Sequence, residues 1–118
     1  MKRESIELLL DWLAAIRAGD VGRATATMAA DVVWRGATDD LVCAGADEVV
    51  SNFSKARDRL DDVEAIELIG RDSAAVLGSH APDGREIFNV FTFADGQIVS
   101  IEDYARREDA LLAASSVR

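Results

Sequence analysis

The sequence predicts an α+β protein in which helices pack on one face of a curved antiparallel sheet. Residues 4–60 place most of their apolar side chains at helical spacing, whereas residues 63–104 form successive runs rich in β-branched and aromatic residues. Two of those runs are joined by Asp95-Gly96, a dipeptide that strongly favours a β-hairpin. A chain of 118 residues is long enough for one hydrophobic core, so we expect a single domain over residues 1–118.

Three helices are predicted in the first half. The first, residues 4–18, has one apolar stripe, and Gly19 ends it because glycine accepts the left-handed conformation of a helix terminus. Asp20 can cap a second helix that continues through Met28. A short strand, residues 32–35, and an irregular connection, residues 36–45, then lead to a third helix that ends at Leu60.

Four successive strands are predicted in the second half of the chain. The first two cover residues 63–69 and 73–80, with turns at Arg71-Asp72 and Pro82-Asp83-Gly84, and the hairpin supplies the last two. A helical segment at residues 107–114 is expected to form a C-terminal tail. Helices followed by antiparallel strands are the order typical of an α+β domain.

Composition limits the classes of partner. The chain has 22 acidic and 13 basic residues, a formal net charge of -9, which argues against nucleic acid and anionic lipid as partners. With a single cysteine and a single histidine, we expect neither a disulfide nor a metal site. No run approaches the ~20 apolar residues that span a bilayer, and the N-terminal segment lacks the pattern of a signal peptide. We therefore expect a cytoplasmic protein whose partner is a small apolar molecule or a second copy of itself.

The register of the hairpin decides which side chains share a face, because a slip of one residue exchanges the faces. A two-residue turn at Asp95-Gly96 would place Asn89 opposite Glu102. A three-residue loop, with Gly96 as a left-handed bulge residue, places Asn89 opposite Ile101, and we favour it because it gathers the apolar residues. The predicted inner face then carries Ile87, Phe91, Phe93, Val99 and Ile101, together with Asn89 and Asp103.

The predicted outer face of the hairpin is half polar and half apolar. It carries Phe88, Val90, Thr92, Ile98, Ser100, Glu102 and Tyr104. Such a mixed surface suits contact between two copies of a protein. We therefore predict a homodimer that forms through Phe88, Val90, Ile98 and Tyr104.

Asp103 and Asn89 are the candidate catalytic residues. Burial in an apolar pocket raises the pKa of a carboxyl group, so Asp103 is a candidate general base. Asn89, diagonally across the strand pair, is a candidate hydrogen-bond donor to an oxyanion. The alternative for Asp103 is a carboxylate at the rim of the sheet, in water or paired with Arg106 or Arg85.

Five residues are expected to hold the apolar substrate: Trp12, Trp34, Phe53, Phe91 and Ile101. The Trp12 indole is also a candidate hydrogen-bond donor to an oxyanion. For the two tryptophans, a place in the hydrophobic core is the alternative, although a buried indole N–H needs an acceptor.

Several motifs together resemble the SnoaL-like branch of the nuclear-transport-factor-2-like superfamily. They are Trp12, Ala18-Gly19-Asp20, Asp31-Val32-Val33-Trp34, Gly45 before a helix, Phe93-Ala94-Asp95-Gly96-Gln97-Ile98 and Glu102-Asp103-Tyr104. The resemblance implies a cone-shaped barrel, in which a curved antiparallel sheet wraps around three N-terminal helices and encloses a central pocket. It also implies dimerisation through the outer sheet face. Because the superfamily contains both enzymes and ligand binders, the fold alone does not define the activity.

The resemblance also suggests roles for individual residues. Ketosteroid isomerases of the superfamily use a tyrosine that donates to the oxyanion, an aspartate that acts as the base and a protonated aspartate that helps to hold the oxyanion. The positions in this chain that look similar to them carry Trp12, Trp34 and Asn89, respectively. The mechanism of those isomerases is therefore not expected here. Polyketide cyclases of the SnoaL type take their base from the last strand, where Asp103 is similar in position. Asn89 stands where those cyclases are expected to have histidine. The resemblance therefore implies a cofactor-independent cyclase or isomerase, with a non-catalytic ligand-binding or structural homodimeric module as the alternative.

Overall fold

The computed structural model describes residues 5–36, 42–55, 64–70, 73–80 and 84–116. The helices are α1 (Ser5–Ala18), α2 (Val21–Ala26), α3 (Ala46–Lys55) and α4 (Arg107–Ser115). The strands are β1 (Met28–Arg35), β2 (Val42–Ala44), β3 (Glu64–Gly70), β4 (Ala74–His80), β5 (Glu86–Ala94) and β6 (Gln97–Tyr104). The predicted α+β class and the three N-terminal helices are confirmed.

The six strands form one curved sheet in the order β2-β1-β6-β5-β4-β3. Four neighbouring pairs are antiparallel, but β1 and β6 run parallel. The expectation of a wholly antiparallel sheet is therefore wrong at this pair. Since β2 and β3 lie at opposite edges, the described strands do not close into a barrel. The parallel pair places the first strand beside the last, and this determines the composition of the candidate site.

The N-terminal helices end where local chemistry predicts. Gly19 follows α1 with a φ of 72°, and the Asp20 carboxylate accepts a hydrogen bond from the Arg23 backbone N–H at 3.1 Å. The second helix ends at Ala26, before the predicted Met28, because Met28 already pairs with Ile98 in the sheet. Strand pairing across the chain thus overrides helical propensity at this point.

Two further strand boundaries differ from the predictions. Three other predicted features, one helix end and two turns, lie wholly or partly outside the described residues. Strand β1 begins at Met28 rather than at residue 32, and β2 lies inside the predicted irregular connection, where it pairs with residues 33–35. The continuation of α3 to Leu60, the Arg71-Asp72 turn and part of the Pro82-Asp83-Gly84 turn fall among residues that are not described. Among the described residues, no helix is long and apolar enough to cross a membrane.

The β5–β6 hairpin has a two-residue turn followed by a bulge. Asp95 and Gly96 have φ angles of 52° and 77°, as a tight hairpin turn requires, and Ala94 pairs with Gln97. The register shifts between Thr92 and Phe93, so Val99 is an extra residue in β6. The predicted three-residue loop is therefore wrong. Aspartate tolerates the left-handed conformation better than most residues, so the turn needs only two residues.

The bulge changes which side chains share a face. Ile98 and Ile101 both join the inner hydrophobic cluster, so the prediction of Ile98 on the outer face is wrong. Beyond the bulge, Phe91 pairs with Ile101 and Asn89 pairs directly with Asp103. The prediction that Asn89 and Asp103 share one face is confirmed, although they are directly opposite rather than diagonal.

Replacing Gly96 by alanine should lower the free energy of unfolding by about 1 kcal/mol, because a side chain disfavours its left-handed φ of 77°. No atom lies within 4 Å of an added Cβ, so backbone strain is the whole expected effect. As a control, Gly22→Ala in α2 should raise the free energy by up to about 1 kcal/mol through helix propensity. Urea denaturation of the three proteins measures both changes. A Gly96→Ala variant as stable as the parent would contradict the turn geometry.

Helices α1, α2 and α3 pack on the inner face of the sheet. The buried residues they share with it include Leu9, Trp12, Ile16, Ala24, Val49, Val50, Phe91, Phe93, Ile98 and Ile101. The Ser5 hydroxyl adds a buried hydrogen bond to the carbonyl oxygen of Ala74, at 2.9 Å, and so ties the start of α1 to β4. This inner cluster is the predicted core between helices and sheet.

The C-terminal helix α4 packs on the outer face of β4, β5 and β6. Ala110 and Ala114 of this helix are buried against a second cluster that contains Ala74, Val76, Phe88 and Val90. The C-terminal segment is therefore a packed element rather than a tail. The homodimer through Phe88, Val90, Ile98 and Tyr104 stays a prediction. Because α4 already buries Phe88 and Val90, a second copy would have to pack on α4 or displace it.

Candidate functional site

Asp103 lies near the end of β6 and accepts hydrogen bonds from both neighbouring strands. The Asn89 side-chain amide donates through Nδ2 to Oδ1 at 2.5 Å, and the Trp34 indole donates through Nε1 to the same oxygen at 3.0 Å. The two predicted catalytic residues are therefore in direct contact. Trp34, predicted to bind substrate, joins them as the second donor.

Strand register explains this arrangement. Asn89 is the direct partner of Asp103 in the antiparallel pair of β5 and β6. On the other side, Trp34 is the partner of Ile101 in the parallel pair of β1 and β6. Ile101 and Asp103 are two residues apart in β6 and so point to the same face, within reach of a long indole.

Four aromatic rings pack next to this hydrogen-bonded group. Phe53 of α3 stacks on Trp34, with ring centres 4.2 Å apart, and it meets Trp12 of α1 edge to face at 4.8 Å. Trp12 also meets Phe91 of β5 at 5.5 Å. The structure thus brings the predicted substrate-binding aromatic residues into one cluster, supplied by four different elements.

The cluster has a buried part and a part that solvent reaches. Trp12, Phe91 and Ile101 expose 0% of their surface, so they form its floor. Trp34, Phe53 and Asp103 are half-buried. A molecule that arrives from solvent would meet these three side chains first.

The Trp12 indole N–H is the one buried side-chain polar atom without a hydrogen-bond partner within the described part of the chain. Leaving a buried donor unsatisfied costs about 1–3 kcal/mol. A buried indole N–H is expected to have an acceptor, and within those residues Trp12 has none.

The surroundings of Asp103 shift the pKa of its carboxyl group. Burial raises the pKa of its carboxyl group above the ordinary value, while the hydrogen bonds from Trp34 and Asn89 act in the opposite direction. Burial is the largest of these effects because little water reaches the carboxylate. A raised pKa means that the carboxylate holds a proton more strongly than an exposed aspartate does.

This raised pKa predicts a pH-dependent contribution to stability. A carboxyl group that binds its proton more tightly in the folded state stabilises the fold at low pH, and this stabilisation is lost as pH rises through the raised pKa. The free energy of unfolding of Asp103→Asn, relative to the parent, should therefore increase from about pH 4 upward. Urea denaturation across a pH series measures the difference. A difference that stays constant, or falls with pH, would contradict a raised pKa.

Other features of the chain lie away from this group. A cleft of about 530 Å³ opens between α2, β1, β2, the start of α3 and the start of β6, and none of the predicted site residues lines it. His80, the single histidine, pairs with Glu86 at the far end of the β4–β5 pair. Among the described residues, no three His, Cys, Asp or Glu side chains come together in a metal-binding group.

Sequence reasoning missed the hydrogen bond between Trp34 and Asp103. The two residues are 69 positions apart, and only the parallel pairing of β1 with β6 brings them together. One signal in the sequence could have indicated this hydrogen bond. A buried Trp in a strand usually finds an acceptor for its indole N–H, and Asp103 is a nearby acceptor once the strands pair.

Comparisons with known proteins agree with this fold. The family model described as a SnoaL-like domain matches residues 9–101. A candidate polyketide cyclase from Sinorhizobium meliloti is 16% identical, with a TM-score of 0.64 over 82% of this chain and 93% of that chain. A candidate ketosteroid isomerase from Kribbella flavida is 12% identical, with a TM-score of 0.62 over 83% of this chain and 74% of that chain.

A cystatin-fold protein from Novosphingobium aromaticivorans is 19% identical, with a TM-score of 0.67 over 86% of this chain and 98% of that chain. No curated protein matches the sequence. At these identities the structural similarities show the fold alone. The family model, in contrast, spans most of the chain, so the chain belongs to the SnoaL-like domain family of the nuclear-transport-factor-2-like superfamily.

Proposed function

We propose that this chain is a cofactor-independent enzyme of the cyclase or isomerase type, which removes an acidic proton next to a carbonyl group of a small apolar molecule. The observation that supports this most is the half-buried carboxylate of Asp103, which has a raised pKa and is held by neutral donors beside an aromatic cluster. General bases in enzymes are commonly made in this way. Family membership and the similarity to a candidate cyclase and a candidate isomerase agree with it.

The proposed first step is a proton transfer. The Asp103 carboxylate takes the proton from a carbon next to the carbonyl group, and the C–H electron pair shifts to form an enolate. The enolate oxygen needs hydrogen-bond donors, because its negative charge develops in an apolar site. Asn89 has a second amide hydrogen that can donate to it. The Trp12 indole N–H has no acceptor among the described residues, but it is buried and would donate only to an enolate oxygen that reaches the floor of the cluster.

The second step returns the proton. In an isomerase, protonated Asp103 delivers it to a different carbon of the conjugated enolate. In a cyclase, the enolate carbon attacks a second carbonyl group, a C–C bond forms, and the new alkoxide takes the proton from Asp103. Both routes regenerate the carboxylate and require neither an oxidant nor a reductant. Trp34, Phe53, Phe91 and Ile101 would hold the apolar part of the substrate in either case.

Hydrogen–deuterium exchange tests this proposal. Aryl alkyl ketones and β,γ-unsaturated ketones are first screened for ligands that raise the melting temperature, because a ligand of the folded state stabilises it. Each ligand is then incubated with the protein in heavy water, and deuterium uptake next to the carbonyl group is followed by NMR. We expect protein-dependent uptake for at least one ligand.

Two other results separate the alternatives. Ligands that stabilise the protein but never exchange would overturn the enzymatic proposal and favour a non-catalytic binding module. A panel without any stabilising ligand or exchange would favour the structural homodimeric module.

A further inference from the structure

The two hydrogen bonds to Asp103 end on the same oxygen. Trp34 Nε1 and Asn89 Nδ2 both donate to Oδ1, and within the described residues Oδ2 receives neither of them. An indole N–H and an amide N–H can only donate, so they stabilise negative charge on Oδ1 and neither can accept a proton placed there. A proton is therefore held more favourably on Oδ2 than on Oδ1. The two carboxylate oxygens are therefore not equivalent.

The Trp34 ring is held in place by a second contact. Its stacking on Phe53, with ring centres 4.2 Å apart and 28° between the ring planes, fixes the orientation in which the indole N–H points at Asp103. The backbone of Trp34 is fixed as well, because it pairs with both β2 and β6. The donor is thus rigid on two sides, as an orienting group requires.

We propose that Trp34 is a positioning residue, which holds Oδ1 of Asp103 through its indole N–H and so assigns proton transfer to Oδ2. This inference rests on the proposed function, since it states which atom of the base reacts. Protonation at Oδ2 leaves Oδ1 as a carbonyl oxygen, which still accepts from Trp34 and Asn89. Neither donor has to move during the reaction, so the base is organised before the substrate arrives.

Charged groups on the neighbouring strands do not face Asp103. Arg35, Glu86 and Glu102 are exposed and lie at strand positions that alternate with the inward-facing ones, and Glu102 accepts a hydrogen bond from the Tyr104 hydroxyl at 3.2 Å. Asp47 and Glu48 lie in the exposed first turn of α3. Within the described residues, burial, Trp34 and Asn89 are the influences on the pKa of Asp103. The loss of one donor should therefore be visible in its titration.

The first test uses the unmodified chain and needs no substrate. The protein contains two tryptophans, so a ¹H–¹⁵N spectrum shows two indole signals, and Trp12→Phe identifies which belongs to Trp34. We expect the Trp34 signal to shift with pH as Asp103 titrates, with a midpoint above that of an ordinary aspartate, about 3.9. The shift should vanish in Asp103→Asn. A Trp34 signal that does not respond to pH in the folded protein, or one that still titrates in Asp103→Asn, would overturn the inference.

The second test removes the donor. Trp34→Phe keeps a ring against Phe53 but has no N–H, so the pKa of Asp103, read from its ¹³C carboxyl signal, should move upward. Trp12→Phe is the matched control, because Trp12 makes no hydrogen bond to Asp103 and should leave that pKa in place. Equal pKa values of Asp103 in the parent and in Trp34→Phe would overturn the inference.

The two proposals fail in different ways. If Trp34 titrates with Asp103 but no compound exchanges deuterium, the proposed function fails while the hydrogen-bond arrangement stands. If exchange depends on Asp103 but its pH profile is the same in Trp34→Phe, the positioning role fails while the proposed function stands. With an active compound, we expect the acid limb of the profile to move to higher pH in Trp34→Phe.

Discussion

Asp103→Asn should lower protein-catalysed deuterium exchange by about 10²–10⁴-fold, the usual contribution of a general base. Asparagine has nearly the shape of aspartate, and its carbonyl oxygen can still accept the hydrogen bonds from Trp34 and Asn89. The variant cannot take up a proton at neutral pH, so the loss should appear in kcat with a smaller change in KM. Exchange rates of a stabilising ketone, measured by NMR at several ligand concentrations, separate the two constants.

Glu102→Gln provides the matched control. It makes the same change from carboxylate to amide one position earlier in β6, where the exposed side chain contacts the Tyr104 hydroxyl on the outer side of the sheet. We expect it to keep the exchange rate of the parent within about twofold, since surface substitutions change the free energy of unfolding by about 0.5 kcal/mol or less. Unchanged turnover in Asp103→Asn, or an equal loss in both variants, would remove Asp103 from the mechanism.

Phe88→Ala should lower the free energy of unfolding by about 3–5 kcal/mol, the usual effect of truncating a buried phenylalanine. Phe88 is predicted from sequence to lie on an outer surface, but the structure buries it beneath Ala110 and Ala114 of α4. Removing the ring leaves a cavity between helix and sheet that alanines cannot fill. Urea denaturation monitored by circular dichroism measures the loss.

Leu112→Ala is the control for Phe88→Ala. Leu112 lies on the same helix but has 70% of its surface exposed, so its truncation should change the free energy by about 0.5 kcal/mol or less. Both variants should be measured at two protein concentrations, because dissociation of a dimer makes apparent stability depend on concentration. A concentration-independent effect below about 1 kcal/mol for Phe88→Ala would show that α4 does not cover this face.

Local signals in the sequence predicted the elements well where chemistry acts over a few residues. Gly19 and Asp20 define the boundary between α1 and α2, and Asp95-Gly96 defines the hairpin turn. The shared face of Asn89 and Asp103 was predicted from a three-residue loop, whereas in the structure the two-residue turn and the Val99 bulge together produce it. The helix boundary and the turn depend on backbone conformations and side-chain hydrogen bonds that neighbouring residues determine by themselves.

Features that depend on distant parts of the chain were not predictable in the same way. The Val99 bulge moved Ile98 to the inner face, and the alternating pattern of β6 does not reveal an extra residue. The early start of β1 and the short β2 arise from pairing with strands elsewhere in the sheet. Segments of this kind adopt strand conformation because a partner satisfies their backbone groups.

The α+β class, the three N-terminal helices and the position of the hairpin turn could be predicted from the sequence alone. Three features became visible only in the folded protein: β1 runs parallel beside β6, Trp34 donates to Asp103, and α4 covers Phe88. The difference lies in the range over which the interactions act. Turns, caps and alternation act over a few residues, whereas a hydrogen bond between residues 69 positions apart depends on how the whole sheet is assembled.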